Sequence, residues 1–191
     1  MDRKVTMEKF ANKFAEWLVS KGADEENKEI FAYSMECLLN TVLTFGIILI
    51  VGAILGRLPI TLVWIVFFLP LRHASGGLHA PNHIGCLILS LSVGIGCMLL
   101  NPFLVGFDWF IAAGVAGSII IIFLFAPVIH ANHPLSEQRI LHMKKTARTI
   151  ILVESCLVAF LFFFTPAQFA TAAVLGILSA TISTLIGHIT N

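Results

Sequence analysis

Residues 84–107 read IGCLILSLSVGIGCMLLNPFLVGF, 24 positions without one charged side chain. A helix needs about 20 apolar residues to cross a hydrocarbon core of about 30 Å, so this stretch is long enough to span a bilayer. The rest of the chain agrees with it. Of 191 residues, 58% are hydrophobic and 12% charged, whereas a soluble domain carries about a quarter charged residues. Mean hydropathy is +0.93. One aqueous core cannot hide that much apolar surface, so the bilayer must act as solvent. The fold class that follows is all-α: a polytopic membrane protein.

Five more apolar runs flank this one: Cys37–Leu55, Leu58–Leu71, Trp109–Ile129, Thr149–Phe164 and Ala167–Ile189. Two are short. Leu58–Leu71 has 14 residues and contains Pro59 and Pro70 near its ends. As a helix it would cover only about 21 Å, so it reads as a short span or a re-entrant hairpin. Thr149–Phe164 stops before Pro166. The count is six transmembrane helices, the second and fifth short.

The N-terminus has another pattern. Met7, Phe10, Ala11, Phe14, Trp17 and Leu18 fall on one helical face, with Lys9, Asn12, Lys13 and Glu16 on the other. That is an amphipathic helix suited to a membrane surface. Gly22 suits its C-terminal cap and Asp24 the N-cap of the next helix. With no apolar h-region here, a cleavable signal peptide is not expected. No internal repeat or low-complexity linker interrupts the chain. It reads as one domain over residues 1–191, with interfacial helices in 1–36 and the membrane bundle in 37–191.

Basic residues orient the spans. Arg3, Lys4, Lys9, Lys13, Lys21 and Lys28 precede the first span, and Arg139, Lys144, Lys145 and Arg148 lie between the fourth and fifth. Arg57 and Arg72 follow the first and second. With six crossings and a cytoplasmic N-terminus, all but Arg57 face the cytoplasm, as the positive-inside rule asks. Were Leu58–Leu71 not to cross, the Arg139–Arg148 loop would fall outside and the bias would weaken. The charges therefore argue that this run crosses. They also place both termini and the loop from Arg72 to His83 in the cytoplasm. A net charge of +1 gives no reason to expect a nucleic-acid partner.

That loop holds the chemistry. Residues 70–86 read PLRHASGGLHAPNHIGC. Ionisable residues at membrane depth are costly and mark functional sites. A Cys/His pair is the sharpest reading, because imidazole titrates near neutral pH and can take a thiol proton. His79 and Cys86 would lie about 10.5 Å apart along a straight helix, too far for proton transfer over about 3 Å. The backbone must fold back between them, and Pro81 and Gly85 are placed to bend it. Cys86 would then open the next helix, whose free N–H groups can form an oxyanion hole. His73 and His83 compete for the role of base, and geometry alone does not choose between them. Gly76 and Gly77 permit a positive-φ turn or the close approach of an extended peptide. Arg72 can bind a carboxylate with two parallel hydrogen bonds, or act only as a topology-setting charge.

Other readings use the same residues. His79, His83 and Cys86 have the i, i+4, i+7 spacing of a zinc site, with His73 as a fourth ligand. Pro81 argues against the continuous helix this needs, and neither a second cysteine nor an HExxH motif accompanies them. A peptide-binding membrane scaffold without catalysis is the third reading. Cys37, Cys97 and Cys156 lie in apolar stretches without CxxC spacing, and read as packing residues rather than a disulfide framework.

At this loop the chain resembles the accessory gene regulator B family, membrane peptidases that process quorum-sensing peptide precursors. The pattern is Arg72, Gly76, Gly77, His79 and Ala80, with Cys86 seven residues beyond the histidine. Tyr33 with Glu36, Asn132 with Pro134 and Leu135, and the Lys144–Lys145 pair resemble the family too. The resemblance runs from about Glu29 to Lys145. It implies that His79 is the base and Cys86 the nucleophile of a cysteine endopeptidase. That enzyme would cut the C-terminal part from a small precursor peptide on the cytoplasmic side. It also implies an acyl-thioester at Cys86 that a Cys or Ser of the peptide attacks, closing a thiolactone or lactone. Arg72, Lys144 and Lys145 match basic family positions, and their charge suits an acidic precursor tail. Glu36, Ser75 and Asn82 are candidates for a third, base-orienting residue. Glu154 reads as a carboxylate pairing with Lys144, Lys145 or Arg72, or as a snorkelling surface group. No cofactor or metal is expected. The partners implied are the precursor peptide, the lipid bilayer and a second copy of the chain. The location implied is a bacterial cell membrane.

Overall fold

The computed structural model describes residues 3–78, 83–128 and 136–190. These residues form seven α-helices: α1 (Arg3–Ser20), α2 (Lys28–Ile54), α3 (Leu58–Ser75), α4 (His83–Leu104), α5 (Asp108–Phe125), α6 (Glu137–Phe164) and α7 (Ala167–Thr190). Among the described residues six helices, α2 to α7, are long and apolar enough to cross a membrane. The chain is a multi-pass, all-helical membrane protein.

α1 ends as its sequence predicts. Gly22 has φ +102°, and the amides of Gly22 and Ala23 close onto the carbonyls of Val19 and Leu18. This left-handed cap satisfies carbonyls that the helix end leaves open. Asp24 precedes a single 3-10 turn, Glu25–Asn27, but its side chain makes no cap hydrogen bond. α2 then runs unbroken for 27 residues, so the polar approach and the first span are one helix. α1 lies against it. Ala11 and Ala15 are fully buried, whereas Phe10 and Trp17 stay more than half exposed. The small residues allow close approach, and the large aromatic ones stay on the outer face.

The spans pair as hairpins. Short turns at Leu55–Arg57, Val105–Phe107 and Thr165–Pro166 join α2 to α3, α4 to α5 and α6 to α7 at one end of the bundle. Gly56 and Gly106 supply φ +66° and +93° in two of them. The longer connections after Ser75 and Phe125 lie at the other end, where α2 also begins. That is the end that carries the polar loop.

Two helices differ in extent from their apolar runs. α3 continues through Pro70 to Ser75 and has 18 residues, about 27 Å of rise. It is a full-length helix rather than a hairpin, and Arg72 and His73 form its last turn. α6 is the longest helix, at 28 residues. The apolar run Thr149–Phe164 is its second half, and Arg139, Lys144, Lys145 and Arg148 ride on its first. Arg148 turns inward: Nη2 donates to Phe123 O at 2.8 Å, and the guanidinium sits 4.9 Å over the Phe123 ring.

α7 is the central post. Its buried face includes Ala170, Ala173, Gly176, Ala180, Thr184 and Gly187. Small residues let neighbouring backbones come close without a hydrophobic force between helices in lipid. A Cβ on Gly176 would stand 2.7 Å from Trp64 O, so α3 packs on α7 backbone to backbone. Trp64 stacks on Phe68 with centroids 4.8 Å apart, and packs with Ile48, Met98 and Leu175 in one apolar cluster. Phe67, Leu71, Ile151, Val158 and Ile177 belong to a second.

Glu154 corrects its sequence reading. It is 5% exposed and shares a buried stripe with Ala147, Ile151 and Val158. Neither carboxyl oxygen has a hydrogen-bond partner. It is therefore not a surface group, and no ion pair joins it to Lys144, Lys145 or Arg72. Spacing of three and four residues puts it on the core face of α6. Ser118 of α5 is also buried without a partner.

Candidate active site

Cys86 lies in the first turn of α4 and is half-buried. The helix begins at His83, three residues earlier than a helix opened by Cys86 itself. Gly85 is already helical, so it makes no bend. His79, Ala80, Pro81 and Asn82 lie outside the described residues. So do the Asn132, Pro134 and Leu135 positions of the resemblance.

Around Cys86 two helices contribute groups. Arg72, from the end of α3, and Tyr33 and Cys37, from α2, are within electrostatic reach of the thiol. Tyr33 and Cys37 are hydrogen-bonded to each other, and Glu36 faces both. Residues 33, 36 and 37 share a face because they are three and four apart. The structure therefore brings Glu36 and Arg72 to the cysteine's end of the bundle. Cys37, read as a packing residue from its apolar setting, belongs to the same group.

Arg72 has a definite partner. Its Nη2 donates to Leu78 O at 2.7 Å, so part of the guanidinium holds the protein's own loop. His73 is exposed, and its Nδ1 is 2.9 Å from Leu69 O one turn back on α3. Ser75 is fully buried, with Oγ 2.8 Å from Thr184 Oγ1 and donating to Gly76 O at 3.3 Å. Its hydroxyl lies between α7 and the loop backbone. Lys144 is half-buried and Lys145 exposed on the first half of α6. Among the described residues no group of three His, Cys, Asp or Glu side chains is set to hold a metal ion.

The glycine pair takes both of the conformations that its sequence permits. Gly76 has φ +70° and Gly77 φ +142°, a region side chains avoid. A Cβ on Gly76 would meet Val128 O at 2.6 Å, and one on Gly77 would meet Ser183 O at 2.8 Å. The close approach is to the protein's own chain. Val128 N donates to Ser75 O at 2.9 Å, and Leu78 N donates to Ser183 O at 2.9 Å. Ser183, Thr184 and Gly187 were not legible as site residues. Their one signal is a polar and glycine stripe at the end of an otherwise apolar span.

Six membrane-length helices, with an arginine, a glycine pair and a cysteine gathered at one end, define a multi-pass helical membrane protein with a polar loop site. The sequence model of the family described as Accessory gene regulator B matches residues 8–185, and the chain belongs to that family. An AgrB-like protein of Listeria innocua is 28% identical over 145 residues, covering 74% of this chain and 70% of its own. One from Clostridium perfringens strain 13 is 28% identical over 138 residues, covering 68% of this chain and 64% of its own. One from Halalkalibacterium halodurans is 26% identical over 156 residues, covering 81% and 78%. No solved structure matches. Membership implies an accessory gene regulator function in a bacterial membrane.

Proposed function

We propose that this chain is a membrane cysteine endopeptidase that processes a small quorum-sensing precursor peptide. The observation that carries the reading is Cys86 in the opening turn of α4, among Arg72, Tyr33 and Cys37, in a chain whose residues 8–185 match the family. Cys86 is the nucleophile and His79 the base. His79 takes the thiol proton as Sγ attacks the scissile carbonyl. The peptide C–N bond then breaks, and His79 returns the proton to the leaving amine. Free amides at the start of α4 suit the oxyanion. The acyl-thioester on Cys86 is attacked by a Cys or Ser of the same peptide, which frees the Cys86 thiol and closes a thiolactone or lactone. A site poor in water favours this ring closure over hydrolysis. Lys144 and Lys145 attract an acidic precursor tail. The loop faces the cytoplasm, as do both termini.

Co-expression with a precursor peptide, followed by mass spectrometry, tests this. Cys86→Ala and His79→Ala are each expected to abolish cleavage while the protein stays in the membrane. Full cleavage by Cys86→Ala would refute it.

A further inference from the structure

The residue before His79 is Leu78, and both of its backbone polar groups are held. Its N–H donates to Ser183 O of α7 at 2.9 Å, and its carbonyl accepts from Arg72 Nη2 of α3 at 2.7 Å. Ser183 is inside α7, where a carbonyl normally serves only the amide four residues on. That residue is Gly187. A Cβ there would stand 2.6 Å from Gly77 C and 2.7 Å from Leu78 N. The missing side chain is what lets Leu78 reach the helix carbonyl. Gly77 is the reciprocal half of the contact, since its own Cβ would meet Ser183 O at 2.8 Å. Thr184 adds a polar latch: its Oγ1 lies 2.8 Å from Ser75 Oγ, and its one proton is shared between Ala180 O at 3.0 Å, one turn back, and Gly76 O at 3.4 Å. On the opposite side Val128 N closes onto Ser75 O. Residues 75–78 are thus clamped between α7 and the segment after α5.

We infer that the C-terminal end of α7, through Ser183, Thr184 and Gly187, is the positioning element that delivers His79 to Cys86, an inference that rests on the peptidase reading above. Leu78 is joined directly to His79, so holding both polar groups of Leu78 holds the backbone from which the base is carried. Cys86 is placed separately, by α4. The three α7 residues act on the loop through its backbone and Ser75. Their effect must appear in turnover rather than in recognition of the precursor, since misplacing a reacting group by about 1 Å costs on the order of 100-fold.

The test uses the full-length protein in detergent or vesicles with a synthetic precursor. Thr184→Val keeps the volume and removes both latch contacts, and Gly187→Ala intrudes on the Gly77–Leu78 backbone. Each is expected to lower kcat by on the order of 10- to 100-fold with KM within about twofold; Thr184→Val should keep the wild-type thermal midpoint, whereas Gly187→Ala, whose Cβ meets backbone, should lose several degrees as Gly176→Ala does. Thr184→Ser, which restores the hydroxyl, is expected to return kcat close to wild type. If Cys86→Ala is inactive while Thr184→Val and Gly187→Ala both turn over at the wild-type rate, the clamp is wrong and the peptidase reading stands. Failure of Thr184→Ser to rescue also overturns the clamp. If Cys86→Ala still cleaves, both fall.

Discussion

Gly176→Ala is a severe test of the packing that supports the site. Gly176 lies in the fully buried stretch of α7. The added Cβ would sit 2.7 Å from Trp64 O, 3.1 Å from Phe67 Cβ and 3.2 Å from Phe68 N. Two of these are backbone atoms of α3, so no rotamer change relieves the contact. Ordinary contact starts near 3.4 Å, and α3 must withdraw from α7 by about 0.7 Å at this point. Overpacking of this kind costs about 1–3 kcal/mol, and backbone atoms argue for the upper end. Alanine is the better helix former by about 1 kcal/mol, which leaves a net loss of about 2 kcal/mol. For a chain of this size that lowers the thermal midpoint by about 4–8 °C. Gly96 and Gly117 are internal controls, because a Cβ on either meets nothing within 4 Å. Their alanine variants gain helix propensity without a clash and should melt at or slightly above wild type. The assay is tryptophan fluorescence or circular dichroism during heating of the purified protein in one detergent. A Gly176→Ala midpoint equal to those of the controls would refute the backbone contact between α3 and α7, and with it the fixed position of Arg72 at the end of α3.

Glu154→Met is expected to raise the thermal midpoint, by the roughly 1–3 kcal/mol that a buried unpartnered polar group costs; a lower midpoint would mean that the carboxyl is paired in the membrane. Arg72→Ala should reduce precursor processing strongly, because the Leu78 carbonyl loses a charge-assisted bond worth about 1.5–3 kcal/mol, while Arg72→Gln, able to donate one bond, should retain more activity. A tag inserted after Arg57 should be reached by impermeant reagents from outside intact cells, and one near Asn132 should not; the reverse pattern would put Cys86 on the wrong side for a cytoplasmic precursor.

The helices were legible wherever lipid alone decides the sequence. Five of the six runs from Cys37 to Ile189 carry no Asp, Glu, Lys or Arg, and the fifth carries only Glu154; such runs have no alternative in a bilayer. The errors fall where protein, not lipid, surrounds the backbone. Pro70 reads as a stop, yet α3 passes through it, because neighbouring helices can accommodate a proline in a membrane helix. The first half of α6 reads as a basic loop because it carries four cations, yet Ala147 and Arg148 turn toward the bundle and the helix begins at Glu137. Glu154 reads as an ion-pair partner or a snorkelling surface group on chemical grounds, since carboxylates are almost never fully buried unpaired. Its spacing from Ile151 and Val158 already put it on the buried face, so periodicity was the better guide than residue type.

The site divides along a different line. Cys86 at a helix start follows from local features, and so does the need for glycine at 76 and 77. What those glycines approach does not, because Ser75 and Thr184 are 109 residues apart and no spacing rule links them. Gly187 by itself looks like one more small residue in a membrane helix. Its meaning lies in the pair it makes with Gly77, where two segments both lack a side chain at the same point in space. Either glycine alone would leave the other's Cβ position blocked by backbone, so the contact needs both. A helix that shapes a reactive loop through its own main chain leaves almost no side-chain signature, which is why α7 read as an ordinary apolar span.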